Sequence, residues 1–329
     1  DAIEHMESLS KEIKEDKNFI FDVPLIKNFN YYRRRILLPF YDIYMKILLN
    51  IYNWKNQKNI KKKKYYLTIC SIFKDEAKDM KEWIEYHLLI GVEHFYLYNN
   101  FSSDDFLETL KPYIEKGIVT LIEWPIEQGQ LSAYQDCYEK YKSDSQWICF
   151  LDLDEFICPY KDNNIREFLK RYRKYPSIVI YWKMFGTSGK IKRTKELVIE
   201  EFYISFEKLF TLGKCFFNTD FKMKKHKVHL IDAEIKLFNK NIVVRSVNEN
   251  RKFIKYNIHR KSQDGFTAQI NHYVSKTYDE YIENKMRRGD VLFKVSSYGL
   301  QHFYNYEMKN ISCDYKIFRF VIALKNILK

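Results

Sequence analysis

The ten residues from Trp147 to Phe156 constrain the fold of this chain more than any other stretch. They read WICFLDLDEF, so an apolar run with β-branched and aromatic residues passes directly into three acids within four positions. An uninterrupted run of this kind predicts a strand buried on both faces, which belongs at the centre of a sheet. The carboxyl end of such a strand is where open α/β sheets bind ligands.

Asp152 and Asp154 stand two positions apart in this run, and in an extended segment such residues project to the same side. Two carboxylates directed at one point repel each other unless a cation lies between them. Mg²⁺-like ions are usually held by one or two carboxylates together with substrate phosphates, so the pair predicts a divalent-cation site. The competing interpretation is that Asp152, Asp154 and Glu155 merely cap a strand and begin a solvated loop.

Strands alternate with helices before this run. The pattern predicts strands over 65–73, 94–98 and 119–124 and helices over 80–90, 104–113 and 130–141. Such alternation predicts right-handed βαβ units and a mixed, mainly parallel α/β sheet flanked by helices. The regularity falls afterwards, with a helix over 165–172, strands over 177–185 and 270–273, and a helix from about Tyr278. Glycine-rich phosphate loops of the Gly-x-Gly-x-x-Gly and Walker types are both missing.

The chain divides into three parts by composition. We assign residues 1–64 to a helical appendage that is basic and apolar, residues 65–295 to a catalytic domain and residues 296–329 to an amphipathic helical tail. Within the domain, we expect 65–156 to be the half that binds a nucleotide and 157–295 to be the half on the side of a second substrate, the acceptor. Only 9 Gly and 6 Pro against 27 Tyr and 25 Phe exclude a collagen-like or disordered chain.

The charge balance favours anionic partners. Lys and Arg outnumber Asp and Glu by 56 to 43, a net charge of +13. No RNP-like, KH or helix-turn-helix pattern occurs, so we expect no nucleic acid, although a non-catalytic RNA- or lipid-binding module stays an alternative. Arg33 to Arg35 and the lysines from Lys55 to Lys64 flank an apolar segment, and 315–329 has the same character. Either this segment lies on an anionic membrane surface, or it packs on the domain ahead of a lysine-rich linker.

We expect a cytoplasmic protein with peripheral attachment to the inner face of the cell membrane. The sequence opens without a secretory signal, and it contains no 18-residue uncharged apolar run. Its six cysteines form no Cys-x-x-Cys pair, which favours a reducing compartment. Because the first residue is not Met, we also expect the chain to be a piece of a longer protein. The oligomeric state is left open.

Further candidate site residues lie after the central run. His272 at a strand end offers a third metal ligand, and Lys276, Lys285, Arg287 or Arg288 could neutralise a diphosphate. A core histidine and a solvated helix end are the alternatives. Aromatic and small residues over 182–189, including Gly186 and Ser188, could seat a sugar ring or simply form a turn. We interpret His226 and His229 as structural.

Six separated motifs over 65–289 resemble glycosyltransferase family 92, the former DUF23 group, and its bacterial family-2-like relatives. These motifs are CSIFKDE (70–76), EWIEYH (82–87), GVEHFYLY (91–98), DLDEF (152–156), FGTSG (185–189) and NHYxxK (271–276). The resemblance implies a GT-A fold, a nucleotide-sugar donor, most often a UDP-sugar, and Mn²⁺ or Mg²⁺ at Asp152 and Asp154, with His272 completing the metal site. Where the family usually has Lys-Asn-Glu, this chain has Lys74-Asp75-Glu76.

Carried over by position, the resemblance assigns a larger set of side chains to nucleotide-sugar binding: Phe73, Lys74, Asp75, Glu76, Asn99, Asn100, Gln130, Tyr134, Asp136 and Asp152. The sugar seat and the basic residues predicted above add to this set Gly186, Ser188, Lys276, Lys285 and Arg288. An inverting transferase also needs a carboxylate that deprotonates the acceptor, and Glu155, Glu201 and Asp232 remain unresolved candidates. We expect the acceptor to be a glycan or glycolipid, such as lipopolysaccharide or another surface glycan.

Two other enzyme classes also pair carboxylates. Haloacid-dehalogenase phosphatases end a strand in Asp-x-Asp but continue with Thr or Val, whereas Glu155 and Phe156 follow here. Glycoside hydrolases hold their two carboxyl groups about 5–9 Å apart across the scissile bond. Acids separated by one residue on a strand suit a shared cation better, so a metal-dependent transferase is the function that the sequence favours.

Overall fold

The computed structural model describes residues 29–56, 62–254, 265–287 and 299–329, with side chains from residue 36 onward in the first range. The helices are α1 (Phe29–Asn56), α2 (Ala77–Leu89), α3 (Phe106–Glu115), α4 (Gln130–Tyr141), α5 (Ile165–Lys170), α6 (Val198–Glu201), α7 (Tyr278–Glu280), α8 (Leu300–Glu307) and α9 (Val321–Leu328). A π-helical turn (Tyr281–Arg287) continues α7, and a 3₁₀ turn (Lys316–Phe320) precedes α9.

Thirteen strands occur in the part of the chain that the structure describes. They are β1 (Tyr65–Phe73), β2 (His94–Asn99), β3 (Val119–Glu123), β4 (Ser145–Phe150), β5 (Glu155–Cys158), β6 (Ser177–Met184), β7 (Ile204–Phe206), β8 (Gly213–Asn218), β9 (Lys222–Lys227), β10 (Leu230–Leu237), β11 (Lys240–Val244), β12 (Gln269–His272) and β13 (Asn310–Cys313).

An eight-stranded sheet in the order β3-β2-β1-β4-β8-β6-β12-β5 forms the centre of the molecule. Strands β3, β2, β1 and β4 are mutually parallel, β8 is antiparallel to both β4 and β6, β12 is parallel to β6, and β5 is antiparallel to β12. Six of the eight strands therefore run in one direction. The predicted α/β class with a mixed, mainly parallel sheet is confirmed.

The strand order reverses direction beside β1. The chain moves from β1 outward to β2 and β3 and then crosses back to β4 on the other side of β1. Because parallel crossovers are right-handed, α2 and α3 cover one face of the sheet and α4 covers the opposite face. Ligands bind at such a reversal, outside the carboxyl ends of the two strands that flank it.

The central run departs from the predicted extended geometry. Strand β4 ends at Phe150, and residues 151–154 form a turn closed by a hydrogen bond from the Glu155 N–H to the Asp152 carbonyl, 3.2 Å long. The prediction that Asp152 and Asp154 project to one side of a continuous strand is therefore wrong. The turn arises because antiparallel β5 starts at Glu155, so the chain reverses within four residues.

Helix α1 packs on the domain through one face, on which Leu38, Met45 and Leu49 are buried, and it contacts β10 of the smaller sheet β11-β10-β9. Strands β13 and β7 pair in a third, two-stranded sheet. Among the described residues, no helix combines the length and the hydropathy needed to cross a bilayer. Of the predicted helical appendage (1–64), residues 1–28 and 57–61 lie outside the described residues.

Candidate active site

The site lies at one edge of the large sheet because of strand direction. The parallel strands β4, β6 and β12 end there, at Phe150, Met184 and His272, and the antiparallel strands β5 and β8 begin there. In the β12–β5 pair, His272 stands opposite Glu155. The turn after β4, the last residue of β12 and the first residues of β5 and β8 therefore meet at one place.

Asp152 is held by three side chains from two other elements. Its Oδ1 accepts hydrogen bonds from Gln130 Nε2 (3.1 Å) and the Tyr134 hydroxyl (3.0 Å) on α4, and its Oδ2 accepts from Lys214 Nζ at 2.6 Å. Burial raises the pKa of Asp152, but the Lys214 ammonium outweighs it, so the pKa is lowered. Asp152 is therefore an anion fixed in one orientation, with about a third of its side chain (31%) exposed.

Asp154 faces a different set of partners. Its Oδ2 accepts a hydrogen bond from Lys285 Nζ at 2.9 Å, and its Oδ1 lies 3.5 Å from His272 Nε2. Its backbone carbonyl also accepts from the Tyr273 N–H, at 2.9 Å. Although burial raises the pKa of Asp154, Lys285 and His272 hold it well below its usual range.

Glu155 and Lys214 form the most deeply buried charged pair of the site, with neither side chain exposed. Lys214 Nζ lies 3.6 Å from Glu155 Oε2, which also accepts a hydrogen bond from the Asp152 N–H at 3.0 Å. Burial, together with the charges of Asp152 and Asp154, raises the pKa of Glu155 well above its usual value, against the opposing effect of Lys214. The three acids are thus not the start of a solvated loop.

Helix α2 positions the strand that carries Glu155. Trp83 Nε1 donates to the Glu155 carbonyl (2.8 Å), and the Tyr86 hydroxyl donates to the Ile157 carbonyl (2.7 Å). His87 donates from Nδ1 to the Trp83 carbonyl and accepts the Ile157 N–H at Nε2. Burial lowers the pKa of His87 to about 3, so the ring stays neutral and keeps this pattern.

Three side chains of the site could hold a divalent cation. Asp154, Glu155 and His272 each offer one ligand atom, and these atoms all lie within 4.8 Å of one another. Glu155 Oε1 and His272 Nδ1 are buried without a hydrogen-bond partner, as expected for atoms that await a ligand. Carboxylate and imidazole donors suit Mn²⁺, so the residues fit the predicted metal. Asp152, predicted as a ligand from the sequence, contacts Lys214 instead and lies outside this group.

The segments after β1 and β2 lie at the same edge, beside the reversal of strand order. Phe73 ends β1 opposite Asn99 of β2, and the Asp75 N–H donates to Ser102 Oγ at 3.0 Å. Asn99 donates to Glu123, and Asn100 donates to the Trp124 carbonyl, both at 2.8 Å. Lys74 and Glu76 follow directly after the strand, and Asp136 on α4 accepts from the Tyr98 hydroxyl at 2.9 Å.

The remaining predicted donor-site residues have structural contacts. Ser188 Oγ accepts the N–H groups of Tyr203 and Ile204, both at 3.0 Å, and the Gly186 N–H donates to the Ile204 carbonyl. A Cβ at Gly186 would stand 2.2 Å from the Asn310 side chain, so a larger residue there requires that side chain to move. Lys276 is buried against Asp79 and lies 3.5 Å from Glu76. Arg288 lies outside the described residues.

Two of the three candidate bases are engaged by other groups. Glu201 is buried, accepts the Thr194 N–H at 3.0 Å and lies 3.5 Å from Arg193. Asp232 lies on β10 of the smaller sheet, where it is paired with Arg245. Glu155 belongs to the group of possible metal ligands described above. The contacts of these three residues do not show which of them would deprotonate the acceptor.

Two residues at the site, Lys214 and His229, were missed or set aside in the sequence, whereas Trp182 belongs to the segment 182–189 that was predicted to seat a sugar ring or form a turn. Lys214 carried a signal, because a lysine within the wholly buried strand GKCFFN needs an anionic partner. The Trp182 ring lies between the rings of His272 and His229, at 4.6 and 4.8 Å. His229 Nδ1 lies 3.3 Å from the Gly213 carbonyl, which can only accept, so Nδ1 is protonated. Burial and Lys214 lower the pKa of His229 to about 4, which keeps it neutral.

Known proteins resemble the chain over the same region. The family model of glycosyltransferase family 92 matches residues 63–290. A family 92 protein from Oryza sativa subsp. japonica is 25% identical over 236 residues, covering 68% of this chain and 39% of the relative. A galactan β-1,4-galactosyltransferase, GALS3 of Arabidopsis thaliana, is 30% identical over 131 residues, 35% of this chain and 26% of the relative.

Among solved structures, S. aureus TarS 1–349 is 12% identical with a TM-score of 0.31 and 47% of each chain covered. This chain spans 39% of the length of the rice relative and 26% of the length of GALS3. The family match nevertheless covers the whole large sheet and every residue of the carboxylate and histidine cluster. The chain therefore belongs to glycosyltransferase family 92, with the GT-A arrangement of a mixed, mainly parallel sheet that the motifs implied.

Proposed function

We propose that this protein transfers a sugar from a nucleoside-diphosphate donor to a hydroxyl of a glycan or glycolipid, with a divalent cation, and with inversion at the sugar. The observation that carries the proposal is the convergence of Asp154, Glu155 and His272, whose donor atoms lie within 4.8 Å of one another at the ligand-binding edge of a family 92 domain. The names of relatives, among them a galactan β-1,4-galactosyltransferase, support a galactosyl donor. The resemblance to the family implies that UDP is its nucleotide.

Each charged residue of the site has a part in this proposal. Asp154, Glu155 and His272 would hold Mn²⁺ or Mg²⁺, which when bound supplies electrostatic stabilisation of the departing diphosphate. Lys285 donates to Asp154 Oδ2, so it competes with a cation for that oxygen, and once displaced from it the ammonium would lie beside the diphosphate. Lys214 fixes Asp152 in a single orientation, from which its second oxygen and the neighbouring α4 side chains orient the donor sugar.

The test measures metal binding and turnover separately. The purified protein is incubated with UDP-galactose, other UDP-sugars, GDP-sugars and CMP-sugars, with Mn²⁺ or with chelator, and nucleotide release is followed; Mn²⁺ binding is measured by calorimetry. Asp154→Asn removes one ligand oxygen, so we expect a loss of at least about a hundredfold in both readouts. Asp105→Asn is the matched control, because Asp105 is exposed and makes no capping hydrogen bond from its side chain.

Release from one donor that needs Mn²⁺ and Asp154 would establish the reaction and identify the sugar. Turnover that persists in chelator would refute the role of the metal but keep the transferase. Salt-sensitive binding of RNA or lipid, with neither Mn²⁺ binding nor nucleotide release, would favour the non-catalytic alternative instead.

A further inference from the structure

Helix α1 carries two apolar faces, and only one of them is covered by the described part of the domain. Leu38, Met45, Leu48 and Leu49 are buried, with at most 7% of each residue exposed. On the other side, seven large apolar residues are each more than half exposed: Ile36, Leu37, Phe40, Ile43, Tyr44, Ile47 and Trp54. Exposed apolar side chains that occur singly are ordinary, but a contiguous group of this size marks an interaction site.

Most of the exposed residues lie along one side of the helix. Five of them, Ile36, Phe40, Ile43, Ile47 and Trp54, follow at intervals of four, three, four and seven residues, which places them along one side of the helix. Leu37 and Tyr44 border the row. We call these seven residues the outer stripe. It extends over 19 residues of helix, from Ile36 to Trp54, with about 27 Å of rise between them.

Basic residues flank the outer stripe at both ends. Arg33 to Arg35 lie immediately before it on the same helix, Lys55 follows it, and Lys58 and Lys61 to Lys64 come next in the sequence. The whole chain carries a net charge of +13. We propose that the outer stripe docks on the surface of an anionic lipid bilayer, with α1 lying along the surface and its basic ends among the headgroups.

The composition of the outer stripe favours a bilayer over a second copy of the chain. Pairing two α1 helices in parallel would bring Arg33 to Arg35 against the same residues, and antiparallel pairing would bring them against the lysines. Both arrangements place like charges together, whereas helices that pair through an apolar seam flank it with opposite charges. The aromatic residues Phe40, Tyr44 and Trp54 also suit the interface between acyl chains and headgroups.

The proposal is independent of the transferase activity, because α1 lies outside the carboxylate and histidine cluster and packs against β10. Vesicle flotation tests it directly. The full chain is mixed with vesicles of phosphatidylcholine alone or with phosphatidylglycerol added, and bound protein is measured at low and high salt. We expect binding only to the anionic vesicles, weakened by salt.

The decisive variant is Phe40→Gln/Ile43→Gln/Ile47→Gln, since glutamine keeps the helix propensity while removing the apolar surface. Its matched control, Leu107→Gln/Ile191→Gln/Ile311→Gln, removes three side chains that are 56, 64 and 73% exposed elsewhere on the protein. We expect the first variant to lose binding about a hundredfold or more and the control to bind like the wild type. Both should fold, which circular dichroism checks, because all six side chains are on the surface.

The fluorescence of Trp54 reports independently on how deeply α1 inserts into the bilayer. Trp54 is 76% exposed, whereas Trp83, Trp147 and Trp182 are buried, so a blue shift of emission on vesicle binding should vanish in Trp54→Phe. Equal vesicle binding by the stripe variant and its control would overturn the proposal, because attraction of basic residues alone would then suffice. A dimer that the stripe variant dissolves, without vesicle binding by the wild type, would assign the stripe to a second copy and overturn it as well.

Discussion

Replacing Lys214 by methionine should show how the site holds three acids together. The side chain is fully buried and lies 2.6 Å from Asp152 and 3.6 Å from Glu155. Methionine has a similar length and volume but no charge, so the change removes the ammonium without opening a large cavity. Burial lowers the pKa of Lys214, but the surrounding acids raise it above its usual value, so the wild-type residue is charged at any pH of interest.

The magnitude follows from what the two carboxylates can do without Lys214. Glu155 is wholly buried and its pKa is raised well above its usual value even beside Lys214, so its protonation is not a cost that the variant alone bears. Asp152 keeps its hydrogen bonds from Gln130 and Tyr134 but loses the ammonium that lowers its pKa, and removing one partner of a buried ion pair costs about 3–5 kcal/mol. Removing the buried ammonium and adding an apolar side chain returns part of this. We therefore expect Lys214→Met to lower the free energy of unfolding by about 2–3 kcal/mol at pH 7.

The dependence on pH has a definite sign. Lys214 lowers the pKa of Asp152 in the folded state, and a lowered carboxyl pKa contributes stability above the unfolded pKa that is lost as the pH falls through the folded pKa. The penalty should therefore be full at pH 7, and it should shrink to about 1 kcal/mol near pH 3, below the usual aspartate pKa of about 3.9.

Urea unfolding at the two pH values, with chelator present, measures this difference. Lys222→Met is the matched control, because Lys222 is 74% exposed in its pair with Glu234, and we expect a change within about 0.5 kcal/mol. Adding Asp152→Asn to Lys214→Met should recover much of the loss. A penalty below about 1 kcal/mol at pH 7, or one that does not shrink near pH 3, would refute the view that Lys214 holds Asp152 as an anion.

Three further predictions concern the scaffold. Glu82 accepts two backbone N–H groups at the start of α6, and burial raises its pKa to about 7. Because a raised carboxyl pKa makes the wild type lose stability as the pH rises from about 4.5 to 7, Glu82→Gln should gain stability relative to the wild type over this range, as measured by urea unfolding. Gly213→Ala places a Cβ 2.0 Å from the Ile180 carbonyl and should cost several kcal/mol, whereas Gly299→Ala meets nothing within 4 Å and should be near neutral in thermal melts. Thr277→Ala breaks the capping box of α7 and should cost about 1 kcal/mol, measured by denaturant titration.

Much of the structure over 65–156 could be predicted because its elements are local and strongly patterned. The helix predicted over 130–141 is found at Gln130–Tyr141, and the strand over 65–73 at Tyr65–Phe73. Periodicity fixes such elements without reference to distant residues. The turn at 151–154 could not be predicted in this way, because the reversal depends on β5 pairing with β12, which lies more than a hundred residues later.

The three acids of the site could be predicted from the sequence, but their partners could not. Asp152, Asp154 and Glu155 could be singled out from the central run alone, since acids directly after a buried strand are unusual. Lys214 lies 62 residues from Asp152 along the chain, and Lys285 lies 131 residues from Asp154. No local pattern joins residues at such separations, because strand order and direction bring them together.

The sequence by itself therefore determined the α/β class, the family and the edge of the sheet at which the acids lie, because buried runs, periodicity and ordered motifs are local properties. Only the tertiary structure decided that Asp152 is held by Lys214 while Glu155 joins Asp154 and His272, since this depends on antiparallel β8 and β5 beginning where parallel strands end. It likewise decided which face of α1 is buried and which face stays exposed, because both faces are apolar and only packing distinguishes them.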